Sequence, residues 1–564
     1  MRFDVLSFFI PVGLVLTGIS LFAQGIAVAD RPVAGRSKSS GVPFLASFTD
    51  VAKQAGITAK FVQGNPLGRR YIIEANGTGV ALVDFDNDGL LDAFLVNGST
   101  FERSVSPTNH LYRNEGSGRF RDVTKESGVG RSGWGNGVCA GDFDNDGFTD
   151  LYVTYWGRNS LFHNSGKGSF TDIAERAGVA GSGSEWSTGC TFVDFDRDGR
   201  LDLFVVTYAG FDPKSTPLPG QLPTCKYRDK PVFCGPRGLP FGRAFLYRNQ
   251  GDGTFTDVSV ASGVRKAQGF YGFTTVAADF NGDGWQDIYV ACDSTPSLLF
   301  RNNRDGTFSE VGTESGVAFN ENGTEQAGMG IAVADINGDG SLDIVKTNFI
   351  RDYPNLYRNL GRGIFEDQAA MAGLGVNPQY LLWGAGLEDF DNDGLRDLFL
   401  ATGHVYTQEP AEPWATPRLL YRQLPDGKFE DVSTALGADR QSSRGAAFGD
   451  FDGDGDIDIL VMNMDAPPSL LRNDLKSDRH WITVQLQGSA IGAVVSVESG
   501  GKRQTSVVLS QSSYLSVNDF RQHFGLGSNA TVDKILVRWP SGNTETFAGV
   551  QADRTVVLKE GSSK

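Results

Sequence analysis

A nine-residue acidic loop recurs seven times along the chain, and no other feature narrows the possible folds as far. The copies are DFDNDGLLD (84–92), DFDNDGFTD (142–150), DFDRDGRLD (194–202), DFNGDGWQD (279–287), DINGDGSLD (335–343), DFDNDGLRD (389–397) and DFDGDGDID (450–458). Their starts lie 52–61 residues apart, except for 85 residues between the third and fourth. A repeat of this period signals stacked or radial units that share one core. Each loop is flanked by apolar stretches such as GVALVDF and LDAFLVNG, which read as short strands.

Two further signatures follow every loop or nearly so. LYRN at 111 returns as LFHN (161), LYRN (246), LFRN (299), LYRN (356), LYRQ (420) and LLRN (470). FRDV at 120 returns as FTDI (170), FTDV (255), FSEV (308), FEDQ (365) and FEDV (429), and the last unit lacks it. The missing copy stands at the front of the chain, where FTDVAKQAGI from Phe48 matches FRDVTKESGV from 120. A four-stranded unit completed from the other end of the chain is a ring closing on itself. The expected fold is therefore all-β: a seven-bladed β-propeller over residues 44–474, its last blade closed by the N-terminal strand. Residues 475–560 carry alternating runs such as WITVQLQ and DKILVRW and read as a small all-β domain.

The loops have the chemistry of a hard-cation cage. Oxygens at positions 1, 3, 5 and 9, with a backbone carbonyl at 7, suit Ca²⁺. The predicted ligands are Asp84, Asp86, Asp88, Leu90 and Asp92, then Asp142, Asp144, Asp146, Phe148 and Asp150, then Asp194, Asp196, Asp198, Arg200 and Asp202. The fourth and fifth loops offer Asp279, Asn281, Asp283, Trp285 and Asp287, and Asp335, Asn337, Asp339, Ser341 and Asp343. The last two offer Asp389, Asp391, Asp393, Leu395 and Asp397, and Asp450, Asp452, Asp454, Asp456 and Asp458. Up to seven calcium ions are expected, with the Asn281 and Asn337 loops the weaker sites. A helical EF-hand needs a bidentate Glu at position 12. Here that position is Leu95, Val153, Val205, Val290, Lys346, Leu400 or Val461, so the EF-hand is excluded.

These loops and strands resemble the FG-GAP/VCBS repeats of integrin α-like propellers, and the resemblance implies calcium in the hairpin loops. SYLSVNDFRQHFGLG (513–527) and VRWPSGNTE (537–545) resemble the ASPIC/UnbV domain that follows such repeats in the cartilage acidic protein-like bacterial family. One departure is the short GSAIGAVV, where that family has a longer polar stretch.

The remaining features concern location and partners. Residues 1–29 read as a signal peptide: Arg2 precedes an apolar run and AVA at 27–29 offers a cleavage site before Asp30. A retained membrane anchor is the alternative. Residues 30–43 read as a linker. The mature chain is expected to be exported to the periplasm, cell surface or medium, with no membrane span after cleavage. A formal net charge of -16 argues against nucleic acid. Of the five cysteines, Cys225 and Cys234 share one loop and form the disulfide candidate. Cys139, Cys190 and Cys292 lie in apolar strand patterns and read as buried thiols.

Propeller geometry puts all the acidic loops on one face. The irregular insertions, about 211–242 and 403–417, fall on the opposite face, where a protein or glycan partner is expected. Trp134, Trp186, Tyr271 and Trp383 open the innermost strands, with Tyr155, Trp156 and His404 near the same rim. These rings are either a stacking platform at the axial mouth or a plug that packs the channel. The preferred function is a calcium-binding adhesion, binding or scaffold module. The alternative is a polysaccharide-active enzyme at the axial mouth, with Glu185 and Glu325 as its acid–base pair; no catalytic motif points to either.

Overall fold

The structure is a computed structural model that describes residue 28 and residues 30–35, 37–102, 106–407, 413–488 and 490–563. The signal-peptide assignment, 1–29, thus falls almost wholly outside the described residues, as does part of the 403–417 insertion.

The chain is all-β and propeller-like, built of four-stranded antiparallel sheets. The first sheet comprises Val80–Val83, Asp92–Leu95, His110–Asn114 and Phe120–Asp122, joined in sequence order. Five more sheets repeat that order, beginning at Trp134–Gly141, Ser187–Val193, Gly272–Ala278, Ile331–Ala334 and Leu382–Glu388. In the seventh, Ser443–Gly449, Asp458–Asn463 and Ser469–Asn473 are completed by Phe48–Asp50. Phe48 pairs with Asn473 in the register that Phe120 keeps with Asn114 and Phe170 with Asn164. The N-terminal strand therefore occupies the place of a fourth strand, residue for residue.

The first strand of each sheet is almost wholly buried and rich in small residues, because these strands approach one another closely. A Cβ on Gly189 would lie 2.1 Å from the Phe273 carbonyl oxygen, and one on Gly330 2.1 Å from that of Trp383. Adjacent sheets pack through apolar clusters: Phe85 meets Phe170 at 6.0 Å between ring centroids, and Phe120 of the first sheet meets Phe451 of the seventh at 5.8 Å.

The C-terminal unit pairs a three-stranded sheet (Gln522–Gly527, His480–Gln487, Arg554–Lys559) with a four-stranded one (Lys502–Val507, Val494–Ser499, Thr531–Arg538, Thr544–Gln551). Ile482, Val484, Val495, Phe524, Ile535 and Val537 fill the space between them.

One expectation needs correction. Cys139 and Cys190 are disulfide-bonded, linking the first strands of the second and third sheets, while Cys292 is a free buried thiol. Their Cα atoms lie 5.8 Å apart only because the sheets are neighbours. Cys225 and Cys234 are also joined. Within the largely exposed 30–43 stretch, Arg31 is 4% exposed, ion-paired with Glu321, Asp352 and Asp367, and lies 3.6 Å from the Tyr353 ring centroid.

Candidate functional site

Each acidic loop joins the first and second strands of its sheet, and its backbone is pinned by its own carboxylates. In the first loop, Asp84 accepts hydrogen bonds from the amides of Asp88 (3.1 Å) and Gly89 (2.9 Å), and Asp88 from that of Leu90 (3.0 Å). Asp92 accepts from the amides of Phe85 (3.2 Å) and Asn114 (2.7 Å). The second through sixth loops repeat these position-1 and position-9 bonds. Two left-handed residues make the bend: Gly89 at φ 89° and Asn87 at φ 58° in the first loop.

Position 3 is different. Oδ1 of Asp86, Asp196 and Asp452 and Oδ2 of Asp391 are buried and accept no hydrogen bond. Buried carboxylate oxygens without a donor are costly, and here they converge on the position-1 and position-9 carboxylates. Asp84, Asp86 and Asp92 each place one oxygen within 4.8 Å of the others, as do Asp142/Asp144/Asp150, Asp194/Asp196/Asp202 and Asp389/Asp391/Asp397. Such clusters could hold metal ions.

The electrostatics agree. The position-9 carboxylates are at most 1% exposed, and burial raises the pKa of Asp92, Asp202 and Asp287 to about 8, of Asp150 to about 9 and of Asp343 to about 7. Neighbouring carboxylates push the same way, against the amide hydrogen bonds. A hard cation reverses this by favouring the ionised form. The ligands at positions 1, 3, 5 and 9 are all oxygen donors, which fits calcium, while Arg113, His163 and Arg248 lie 2.7, 2.9 and 2.7 Å from the position-3 carboxylates of the first three loops.

The Asn of the LYRN signature does more than end a strand. Asn164 Nδ2 donates to the Phe85 carbonyl of the preceding loop at 2.7 Å, and Asn249 to that of Phe143 at 2.8 Å. Asn302, Asn359, Gln423 and Asn473 continue the series, each reaching the loop one sheet back. Asn114 of the first sheet reaches Phe451 of the seventh at 2.8 Å. The recurring motif was visible in the sequence; its partner was not, because it belongs to a neighbouring repeat.

FG-GAP-like repeats match residues 84–153, 142–205, 232–290, 279–345 and 389–461, together more than half of the chain. The chain belongs to the FG-GAP-like repeat family. An ASPIC and UnbV match covers residues 484–564. Cartilage acidic protein 1 of Homo sapiens is 26% identical over 362 residues, 62% of this chain and 50% of that protein. The Mus musculus protein is 25% identical over 379 residues, 65% and 53%. This FG-GAP-like chain thus spans about half the length of the curated relatives it matches. Among solved structures, an Agrocybe aegerita lectin that recognises non-reducing terminal N-acetylglucosamine aligns over 77% of this chain and 94% of its own, at 15% identity and a TM-score of 0.36.

The axial aromatics of this FG-GAP-like chain are buried, which overturns the stacking-platform reading. Trp134, Trp186, Tyr271, Trp383, Tyr155 and His404 are 0–8% exposed, and only Trp156 is partly exposed. From one side Phe211 of the 211–242 insertion packs on Trp186 (5.8 Å) and Trp156 (5.1 Å), and Tyr271 donates to the Leu239 carbonyl at 2.9 Å.

From the other side the C-terminal unit threads residues 510–519 along the first strands. Val517 exchanges backbone hydrogen bonds with Val80 (2.9 Å) and Leu82 (3.1 Å), and Ser513 with Ile331 (2.6 Å both ways). Ser510 and Leu515 accept from Ala140 and Val138 at 3.1 Å, and Asp519 donates to Phe448 at 2.9 Å. The Gln511 side chain accepts from the amides of Cys190 and Thr275, both at 3.3 Å. Tyr514, fully buried, meets Trp383 edge-on at 5.0 Å. All seven first strands thus touch one segment that sequence reasoning assigned to a separate domain.

The same unit covers much of the acidic-loop face. Arg479 pairs with Asp391 at 2.8 Å, Arg538 with Asp279, and His523 Nε2 lies 2.7 Å from Asn392 Oδ1. Burial lowers the His523 pKa to about 3, so it is a neutral hydrogen-bonding ring. Glu185 and Glu325 have separate commitments, to Ser182 (3.0 Å from its amide) and to Arg237 (2.5 Å).

Proposed function

We propose that the chain is an exported binding or scaffold module: a closed seven-bladed propeller, pinned by calcium in its acidic loops and plugged by its C-terminal unit. The observation that carries this is the buried position-3 oxygen left without a donor in four of the loops. Closure is supported by the side-chain amide series, whose last link runs from Asn114 back to Phe451, and by Phe48 standing in fourth-strand register. Export is supported by two disulfides, which are compatible with an extracellular protein, and by the reading of residues 1–29. Among the described residues no helix is long and apolar enough to cross a membrane.

A calcium ion would bring two positive charges to the three or four inward carboxylates of each loop and fix the hairpin between the first two strands. The propeller is then a rigid frame, and a partner meets the surface built by the insertions. The axial-mouth enzyme reading loses its platform to the two plugs and its proposed pair to Ser182 and Arg237.

The test is a thermal melt of the mature protein in EGTA and across a calcium titration, with bound metal counted afterwards. A melting temperature that climbs with calcium, with up to seven ions per chain, supports the reading. An unchanged melt at every calcium level removes it.

A further inference from the structure

On a chain of net charge -16, basic side chains gather around two neighbouring cavities. One, of about 270 Å³, is lined by Arg69, Arg70, Lys230, Tyr227, Phe233 and Tyr406, with no carboxylate among the described residues of its wall. The other, of about 710 Å³, is lined by Arg31, Arg228, Arg351, Arg440 and Tyr380, with Asp30 the one acid among the described residues. Residues 227 and 228 are consecutive and 404 and 406 nearly so, so the cavities flank one cluster of rings: Tyr227–Tyr406 at 4.9 Å and Tyr227–His404 at 5.7 Å. Apart from Asp30–Val33, every lining segment leads into the first strand of a sheet or joins its second and third strands, the opposite end from the acidic loops.

Not all these cations are available. Arg31 is committed to Glu321, Asp352 and Asp367, and Arg69 to Asp465 and the Glu74 carbonyl. Arg228 and Lys230 have contacts of their own. The argument rests on Arg70, Arg351 and Arg440, all exposed, one beside the smaller cavity and two beside the larger.

We propose that the two cavities form one groove for an acidic polysaccharide, its uronate carboxylates met by Arg70, Arg351 and Arg440 and its pyranose faces by Tyr406 and Tyr380. A sugar acid carries both complements in one repeating unit: a flat, weakly apolar ring face for a tyrosine and a planar carboxylate for a guanidinium fork. The combined volume lies in the range of small-ligand clefts, about 300–1,000 Å³. The floor is stiffened by the Cys225–Cys234 bridge and by prolines 219 and 231, which limits the ordering cost of binding. The inference rests on the binding-module reading above and names its ligand class.

The test is calorimetric titration of the mature full-length protein in calcium with tetramannuronate, its neutral counterpart mannotetraose, a heparin tetrasaccharide and polyglutamate. The comparison variant is R70A/R351A/R440A, three exposed positions whose loss should leave the melting temperature unchanged. Expected are binding of tetramannuronate that weakens with added salt, at least tenfold weaker binding of mannotetraose, and at least tenfold weaker binding by the variant. Equal affinity of the variant and parent, or of the acidic and neutral tetramers, overturns the groove. Tighter binding of the heparin fragment overturns the uronate assignment in favour of sulfate esters. Binding of polyglutamate alone overturns the glycan assignment and leaves the binding-module reading standing. No binding to any probe overturns the groove without touching the calcium frame, which the melts report separately.

Discussion

The two faces of the sheet array are built by opposite rules. On the loop face, six nine-residue segments repeat one set of hydrogen bonds, the seventh varies it with Asp450 accepting from the Gly453 amide, and the C-terminal unit lies over several of them. On the other face a short helix recurs after four of the fourth strands (Ala52–Ala55, Thr124–Ser127, Ala174–Ala177 and Gly312–Ser315), but the insertions differ: the third sheet carries 211–242 with its own disulfide, the sixth an insertion at 403–417, and the N-terminal segment crosses the fifth. Identical loops facing a shared cover suit a frame, since each carries the same load. Unlike loops around a recess suit recognition, since each contributes different chemistry. The contrast assigns stability to one face and specificity to the other, and it can be broken experimentally.

The largest effect should come from removing calcium. At a hundredfold excess over its dissociation constant, each ion stabilises the native state by about 2.7 kcal/mol, and the terms add for independent sites. Chelation should therefore lower the melting temperature more than any single substitution on the opposite face. If calorimetry instead finds EGTA milder than R70A/R351A/R440A, the division of labour between faces is wrong.

Tyr514→Ala comes next. Its ring is fully buried between Trp383 and Phe273, and its loss should cost about 3–5 kcal/mol, the range for large aromatic truncations in a core. Denaturant melts should then show one cooperative transition shifted to lower denaturant, because the segment it anchors reaches every sheet. A selective early loss of the C-terminal unit, with the sheet array unmoved, would show the plug to be an accessory.

Asn114→Ala sharpens the comparison along the loop face itself. It removes donors to the Leu91 and Phe451 carbonyls, each costing about 1–3 kcal/mol when left buried and unpaired. Asn164→Ala removes the equivalent pair, to Thr149 and Phe85, inside the continuous run of sheets. In a closed ring the two variants should lose similar stability by urea unfolding. A clearly milder Asn114→Ala would place an opening between the first and seventh sheets.

Much of this was legible in the sequence because repetition multiplies weak signals. A single DFDNDG reads equally well as a hairpin turn; seven copies with the same internal spacing, with position 12 never Glu, point to an oxygen cage on strands. The displaced FTDV at Phe48 made the shared seventh sheet visible, since its register partner Asn473 carries the same motif as Asn114. What stayed hidden depends on contacts between repeats or between units. Cys139 and Cys190 each sit in an apolar run 51 residues apart, and only the packing of adjacent sheets joins them. Trp186 and Trp383 looked like a ring around an open mouth because nothing local reveals that Phe211 and Tyr514 fill it. Arg31 looked like part of a linker; its three acidic partners lie some 290–336 residues away. Local pattern reports strands and loops, whereas burial of a strand end is decided by whatever the rest of the chain lays over it.

The smallest predicted effect separates the faces by what governs their acids. On the proposed reading, carboxylates of the loop face answer to calcium. Asp293, between the fourth sheet and the insertion, answers to pH: it is buried, accepts from Tyr208 (2.6 Å) and Ser294 (2.7 Å), and burial raises its pKa to about 6. Its folded value lies above the unfolded one near 3.8, so the native state holds the proton more tightly. The stabilising contribution is therefore full below about pH 4 and is lost as the pH rises through about 6. With calcium held saturating, Asp293→Asn should flatten the stability profile between pH 7 and 5 by on the order of 1–2 kcal/mol, while leaving the number of bound ions unchanged. A profile identical to the parent's would mean that Asp293 is ionised throughout. The insertion would then rest on a buried charge, and pH would no longer distinguish the two faces.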